Sequence, residues 1–136
     1  LAEEKLDACF VVTEEANHAK CVIPVLEAGL HCFSEKPIRK LRGRYILSGT
    51  IDKLYFLDGK WHILDFKASR ANPQYLERYR FQMRFYLFLV KGLVNGAGKA
   101  TLFFLDERET MDVVWDAGFE EELDRRIGDY ERAFVN

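Results

Sequence analysis

Three charged residues stand where charge is costly. Asp52 follows Gly49-Thr50-Ile51, Asp65 sits inside Ile63-Leu64-Asp65-Phe66, and Lys67 lies two residues further on. A carboxylate in apolar surroundings is costly unless a partner compensates it. Between the two segments lies Asp58-Gly59, a two-residue hairpin signal. If that turn forms, Leu57 pairs with Lys60, and the register carried outward sets Asp52 opposite Asp65. The pair falls at a non-hydrogen-bonded position, where Cα atoms approach to about 4.5 Å. Two ionised carboxylates that close repel each other, unless a cation sits between them. Two Asp oxygens completed by water suit Mg²⁺ or Mn²⁺. Lys67 points to the same face as Asp65 because side chains alternate along a strand. Its ammonium can orient or deprotonate a water at the cation, or stabilise charge developing on an attacked phosphate. Two acids, a lysine and a hard cation are what phosphodiester hydrolysis needs. The competing reading is a surface hairpin with solvated charges, and a single bulge would shift the register.

The elements that would position these residues read as follows. Tyr45–Leu57 and Trp61–Ala68 are rich in aromatic and β-branched residues and predict strands. Asn72-Pro73 opens a helix from about Gln74 to Leu93, with Tyr75, Tyr79, Gln82, Tyr86, Leu89 and Leu93 on one stripe. Asn95–Gly98 reads as a loop, Ala100–Leu105 and Met111–Trp115 as strands. Phe119, Leu123, Ile127, Tyr130 and Phe134 mark a final amphipathic helix. Upstream, Ala2–Ala8 suits a helical turn or two, Glu14–Ala28 reads as helical despite Pro24, and residues 30–42 look extended. Together these give one α/β domain with a three-to-five-stranded mixed sheet and flanking helices.

With 136 residues, 49% hydrophobic and 31% charged, the chain has the balance of one soluble globular domain. No apolar run approaches a membrane span, so no membrane partner is expected. The chain opens with Leu-Ala-Glu-Glu and shows no signal peptide, so a piece of something longer is expected. Cys9, Cys21 and Cys32 form no CxxC pair, which argues for reduced thiols in a cytoplasmic setting. Residues 36–91 hold 13 Lys and Arg against 4 Asp and Glu, a net +9. The rest therefore carries −11 of the formal −2, and the basic middle is where a polyanion would bind. Mutual neutralisation of the two parts in the fold is the alternative.

Three motifs occur in order: Gly49-Thr50-Ile51-Asp52, then Ile63-Leu64-Asp65-Phe66-Lys67, then Gln82-Met83-Arg84-Phe85-Tyr86. They resemble the G-x-I-D, D-x-K and Q-x-x-x-Y patterns of the RecB-type branch of the PD-(D/E)XK nucleases, over about residues 33–115. The resemblance implies a restriction-endonuclease-like core, a central mixed β-sheet flanked by helices. It implies a Mg²⁺- or Mn²⁺-dependent deoxyribonuclease, an exonuclease acting in DNA recombination or repair, with DNA as partner and a helicase domain or subunit attached. Carried over by position, Asp52 and Asp65 become metal ligands and Lys67 the catalytic lysine, with Gln82 and Tyr86 supporting the site. Glu35 and His18 are candidate further ligands, each with a surface or solvated role as the alternative. Lys36, Arg39, Lys40, Arg42 and Arg44 form a basic run beside the site, expected with Arg84 to contact nucleic acid, the alternative being a solvated strand face. The domain would run over 1–136, with 31–136 as nuclease core.

A second resemblance touches residues 6–38. Asp7-Ala8, Thr13, His18, Leu26-Glu27-Ala28-Gly29, His31 and Glu35-Lys36-Pro37 look like a segment of the Gfo/Idh/MocA oxidoreductases. The phosphate-cradling G-x-G-x-x-G of a dinucleotide fold is missing. Under this reading Ala8–Val12 is a strand and Asn17–Ala28 its helix; under the nuclease reading residues 1–30 can be helical throughout. Three functions therefore compete: a nuclease, a catalytically inactive nucleic-acid-binding module, and an oxidoreductase fragment.

Overall fold

A computed structural model describes residues 5–12, 15–34, 38–68 and 72–134. Among them a six-stranded sheet forms from β1 (Ala8–Val11), β2 (His31–Ser34), β5 (Lys53–Leu57), β6 (Lys60–Lys67), β7 (Ala97–Phe104) and β8 (Glu109–Val114), in that order across the sheet. A separate ribbon pairs β3 (Ile38–Arg42) with β4 (Tyr45–Gly49). The helices are α1 (Glu15–Glu27), α2 (Pro73–Lys91) and α3 (Phe119–Phe134). β1 runs parallel to β2 and β6 parallel to β7, and the other neighbours are antiparallel. α1 and α2 are thus the crossovers that parallel pairing demands. None of these helices is long and apolar enough to cross a membrane.

The hairpin register is the expected one: Leu57 pairs with Lys60, and the ladder runs out to Lys53 opposite Leu64. Asp58 and Gly59 both have positive φ, 51° and 75°, as a type I′ turn requires. The expected single strand Tyr45–Leu57 is corrected. It breaks at 50–52, so that β4 belongs to the ribbon and β5 to the main sheet. Ile51, 4% exposed, turns into the core at the break. The sheet also has more strands than expected, because β1 and β2 extend it and β7 begins at Ala97. The described part of the first thirty residues follows the strand-then-helix alternative: β1, α1 and β2 form a parallel crossover unit.

One face of the sheet carries the core. Cys32, Leu54, Ile63, Ala100 and Val113 lie in register across five strands, and all are buried. α2 packs over this face, and its Met83, Leu87, Phe88, Leu89 and Val90 are buried, Phe88 against Phe119 of α3 and Leu89 against Gly49 of the ribbon; Leu123 of α3 joins the core. Asn72 caps α2 by accepting from the Gln74 amide at 3.0 Å, and Pro73 fills the first turn, where a missing N–H is harmless. The same face carries Asp65, the next residue of its parity on β6 after Ile63.

Candidate active site

β6 delivers Asp65 and Lys67 to the face beneath α2. Asp65 is 3% exposed, paired on one side with Leu102 of β7. Lys67 Nζ lies 2.6 Å from Asp65 Oδ2. This close ion pair offsets part of the cost of burying the carboxylate. Asp52 lies one residue beyond the last β5 pair, so the two aspartates are not ladder partners as expected. Its side chain instead turns across the gap, and Asp52 Oδ2 accepts the Phe66 amide at 3.0 Å. In the hairpin register that amide would have met the residue 51 carbonyl; the break in the strand hands it to the carboxylate.

Burial pushes the Asp65 carboxyl above its ordinary range. Lys67 pulls it back, and the neighbouring Asp52 carboxylate pushes it up again. A buried acid with a second acid beside it is a place for a small cation. No third His, Cys, Asp or Glu joins them among the described residues. Two carboxylates with the remaining positions taken by water is an ordinary ligand set for Mg²⁺, so the residues present fit such an ion.

α2 forms the opposite wall. Gln82 Nε2 donates to Tyr86 Oη at 2.9 Å, across one helical turn. Burial raises the Tyr86 phenol above its ordinary pKa, with Asp65 and then Asp52 adding to the shift. Gly49 allows this approach: a Cβ there would stand 2.8 Å from Tyr86 Cε1. The glycine of Gly49-Thr50-Ile51-Asp52 is therefore a packing requirement of the helix that carries Gln82 and Tyr86. Lys67, Gln82 and Tyr86 line an open groove of about 700 Å³ together with Tyr75, Arg78 and Tyr79.

The structure thus brings together Asp52, Asp65, Lys67, Gln82 and Tyr86. The basic residues are placed differently. Arg42 grips Asp124 and Glu120 of α3 at 2.7 and 2.8 Å. Arg44 meets Glu131 at 3.1 Å, and Arg84 meets Glu122 and Asp116 at 2.8 and 2.9 Å. These three pair with acids in and just before α3, the neutralisation that the charge pattern also allowed. Lys40 Nζ stacks 3.9 Å from the centroid of the Phe88 ring. Arg39 is exposed on β3. Glu35 and Lys36, and the side chain of His18, lie outside the described residues. Sequence reasoning did not assign Arg78, Tyr75 or Tyr79 a functional role. The signal was present in their spacing, since 75, 78, 79 and 82 fall on one helical face.

The model of the PD-(D/E)XK nuclease superfamily matches residues 4–134, and the chain belongs to that superfamily. The match takes in the segment that resembles the oxidoreductases. The six-stranded mixed sheet with its three helices, among the described residues, agrees with a restriction-endonuclease-like fold. Members of this superfamily typically use a divalent metal, and a nuclease domain implies a nucleic-acid substrate. Of the solved structures, the crystal structure of SSO0001 aligns with 17% identity and a TM-score of 0.49, over 91% of this chain and 62% of that one. The chain spans less than two thirds of that protein's length. No curated protein matches the chain by sequence.

Proposed function

We propose that the chain is a RecB-type DNA nuclease domain that hydrolyses phosphodiester bonds with Mg²⁺ or Mn²⁺ held by Asp52 and Asp65. The observation that carries this reading is Asp65, 3% exposed inside the sheet and beside both the Asp52 carboxylate and Lys67. When bound, the cation supplies Lewis acidity, activating water and neutralising charge on the attacked phosphate. Asp65 is held rigidly by its place inside the sheet, and Asp52 by the Phe66 amide. Lys67, fixed by Asp65, presents its ammonium to the groove, where it can orient a water or donate to a phosphate oxygen. Gln82 spends its amide on Tyr86 Oη, which frees the phenol proton for a donor role at the acids. The RecB type, the exonuclease activity, the role in recombination or repair and the helicase partner rest on the three motifs, from which Gly49, Lys67, Gln82 and Tyr86 line one groove.

End-labelled linear and circular DNA incubated in Mg²⁺ or Mn²⁺ tests this. Cleavage of linear DNA is expected, abolished by EDTA and by Lys67→Ala, with circular single strands spared by an exonuclease. DNA binding without cleavage in any divalent cation would favour the inactive binding module instead.

A further inference from the structure

Beyond the cation site, the groove continues along the first turns of α2. Tyr79 is anchored there, its ring 5.4 Å from Lys67 Nζ and 6.1 Å from the Phe104 ring. Tyr75, one turn earlier, leans on Tyr79 with centroids 6.3 Å apart and is 42% exposed. The core makes no use of that face, and an aromatic ring standing free beside a basic groove is a surface on which a base can stack. Arg78 lies between this groove and a second one that runs on toward Arg80, Arg84 and Arg126. Arg80 meets Glu77, Arg84 meets Asp116 and Glu122, and Arg126 meets Glu122. Among the described residues Arg78 is the arginine of these grooves that has no acidic partner. A positive group left unneutralised at the junction of two grooves, one residue removed from a pair of tyrosines, is suited to a phosphate.

We infer that Tyr75 and Arg78 form a nucleotide-binding subsite beside the cleavage site, Tyr75 stacking on an unpaired base and Arg78 binding the phosphate of the same strand. The inference rests on the proposed nuclease reading for its position, next along the groove from Lys67. It adds the class of ligand: a nucleotide whose base is not paired, either in a single strand or at an overhanging end. A base inside a duplex offers no open face to Tyr75, so paired DNA gains nothing from the ring.

Binding measured in EDTA separates this from cleavage. The probes are labelled oligothymidylate, a hairpin with a single-stranded overhang, and a blunt hairpin, titrated by fluorescence anisotropy. Tyr75→Ala is expected to weaken oligothymidylate binding about 5- to 160-fold, the range that stacking of one base carries. Tyr75→Phe keeps the ring and should bind as the parent does. The blunt hairpin should bind the parent and Tyr75→Ala alike. Loss on the overhang as well as the oligothymidylate extends the subsite to frayed ends; loss on the oligothymidylate alone restricts it to free single strands. Arg78→Ala should lower the slope of log affinity against log salt by about 0.7, one phosphate of a single strand. Unchanged oligothymidylate binding by Tyr75→Ala, equal loss on the blunt hairpin, or an equal defect in Tyr75→Phe would overturn the subsite. An unchanged salt slope would remove Arg78 from it. Cleavage by the parent with Tyr75-independent binding sinks this inference alone. Tyr75-dependent binding by a protein that never cleaves sinks the nuclease reading and leaves the subsite standing.

Discussion

Gly49→Ala probes the contact that sets α2 against the candidate site. Gly49 ends β4 with no positive φ, so alanine fits its backbone. In open space that change would stabilise the fold by about 0.4–1 kcal/mol through the unfolded state. Space is not open here. The added Cβ would stand 2.8 Å from Tyr86 Cε1 and 3.0 Å from Leu89 Cδ1. Tyr86 is 7% exposed and Leu89 1%, so neither can swing away into solvent. Overpacking of this kind costs roughly 1–3 kcal/mol. At the middle of both ranges the difference is a net loss of about 1.3 kcal/mol. Urea denaturation should show a lower midpoint at unchanged slope, and cleavage should fall because Tyr86 is displaced from the acids. A Gly49→Ala protein as stable as the parent, or more so, would refute the close packing of helix on ribbon.

Three further outcomes follow from other contacts. A Cβ at Gly98 would lie 2.5 Å from His62 Cε1, and the ring is tied down: Nδ1 accepts the Lys99 amide and Nε2 meets the Leu57 carbonyl. Gly98→Ala should therefore destabilise by about 1–3 kcal/mol, and a denaturation cycle with His62→Ala should recover part of the loss; strict additivity would contradict the clash. Arg42→Ala should cost about 1 kcal/mol at low salt, discounted for exposure, and less near about 1 M salt; a salt-independent loss would point to packing of its alkyl stem instead. Burial raises the Cys32 thiol from 9.0 to about 11, with Cys9 adding to the shift. Native Cys32 should resist alkylation at pH 8 while unfolded chains react. Because the folded value is the higher one, its contribution to stability is intact below about 9 and is lost as pH rises toward about 11. Rapid alkylation of Cys32 in the native state would contradict its burial.

What could be read from the residues divides along a physical line. The hairpin was legible because Asp58-Gly59 demands positive φ at both positions, and that local demand fixes every pair out to Lys53 and Leu64. α2 was legible from its cap and stripe. The break at 50–52 was not, because Tyr45–Leu57 keeps its strand character throughout; just before it, Gly49 lies close against Tyr86 and Leu89 of α2, about forty residues away in sequence. Gly98 reads as loop but sits inside β7, admitted by the His62 ring that fills its missing side chain. The basic run was legible as charge, yet its partners lie about eighty residues away near and in α3, and one-dimensional charge cannot tell an ion pair from a phosphate site. For the candidate site, apolar flanks marked Asp52 and Asp65. The Asp52 bond to the Phe66 amide needed the strand break that the pattern concealed.

The central claim is that Asp52 and Asp65 share one cation. Titration of the protein with Mn²⁺, followed by the electron paramagnetic resonance signal of the free ion, tests it directly. The account predicts one site in the parent chain that is lost or severely weakened in both Asp52→Asn and Asp65→Asn, with folded secondary structure retained. Mn²⁺ binding of unchanged affinity and stoichiometry in either variant would contradict it.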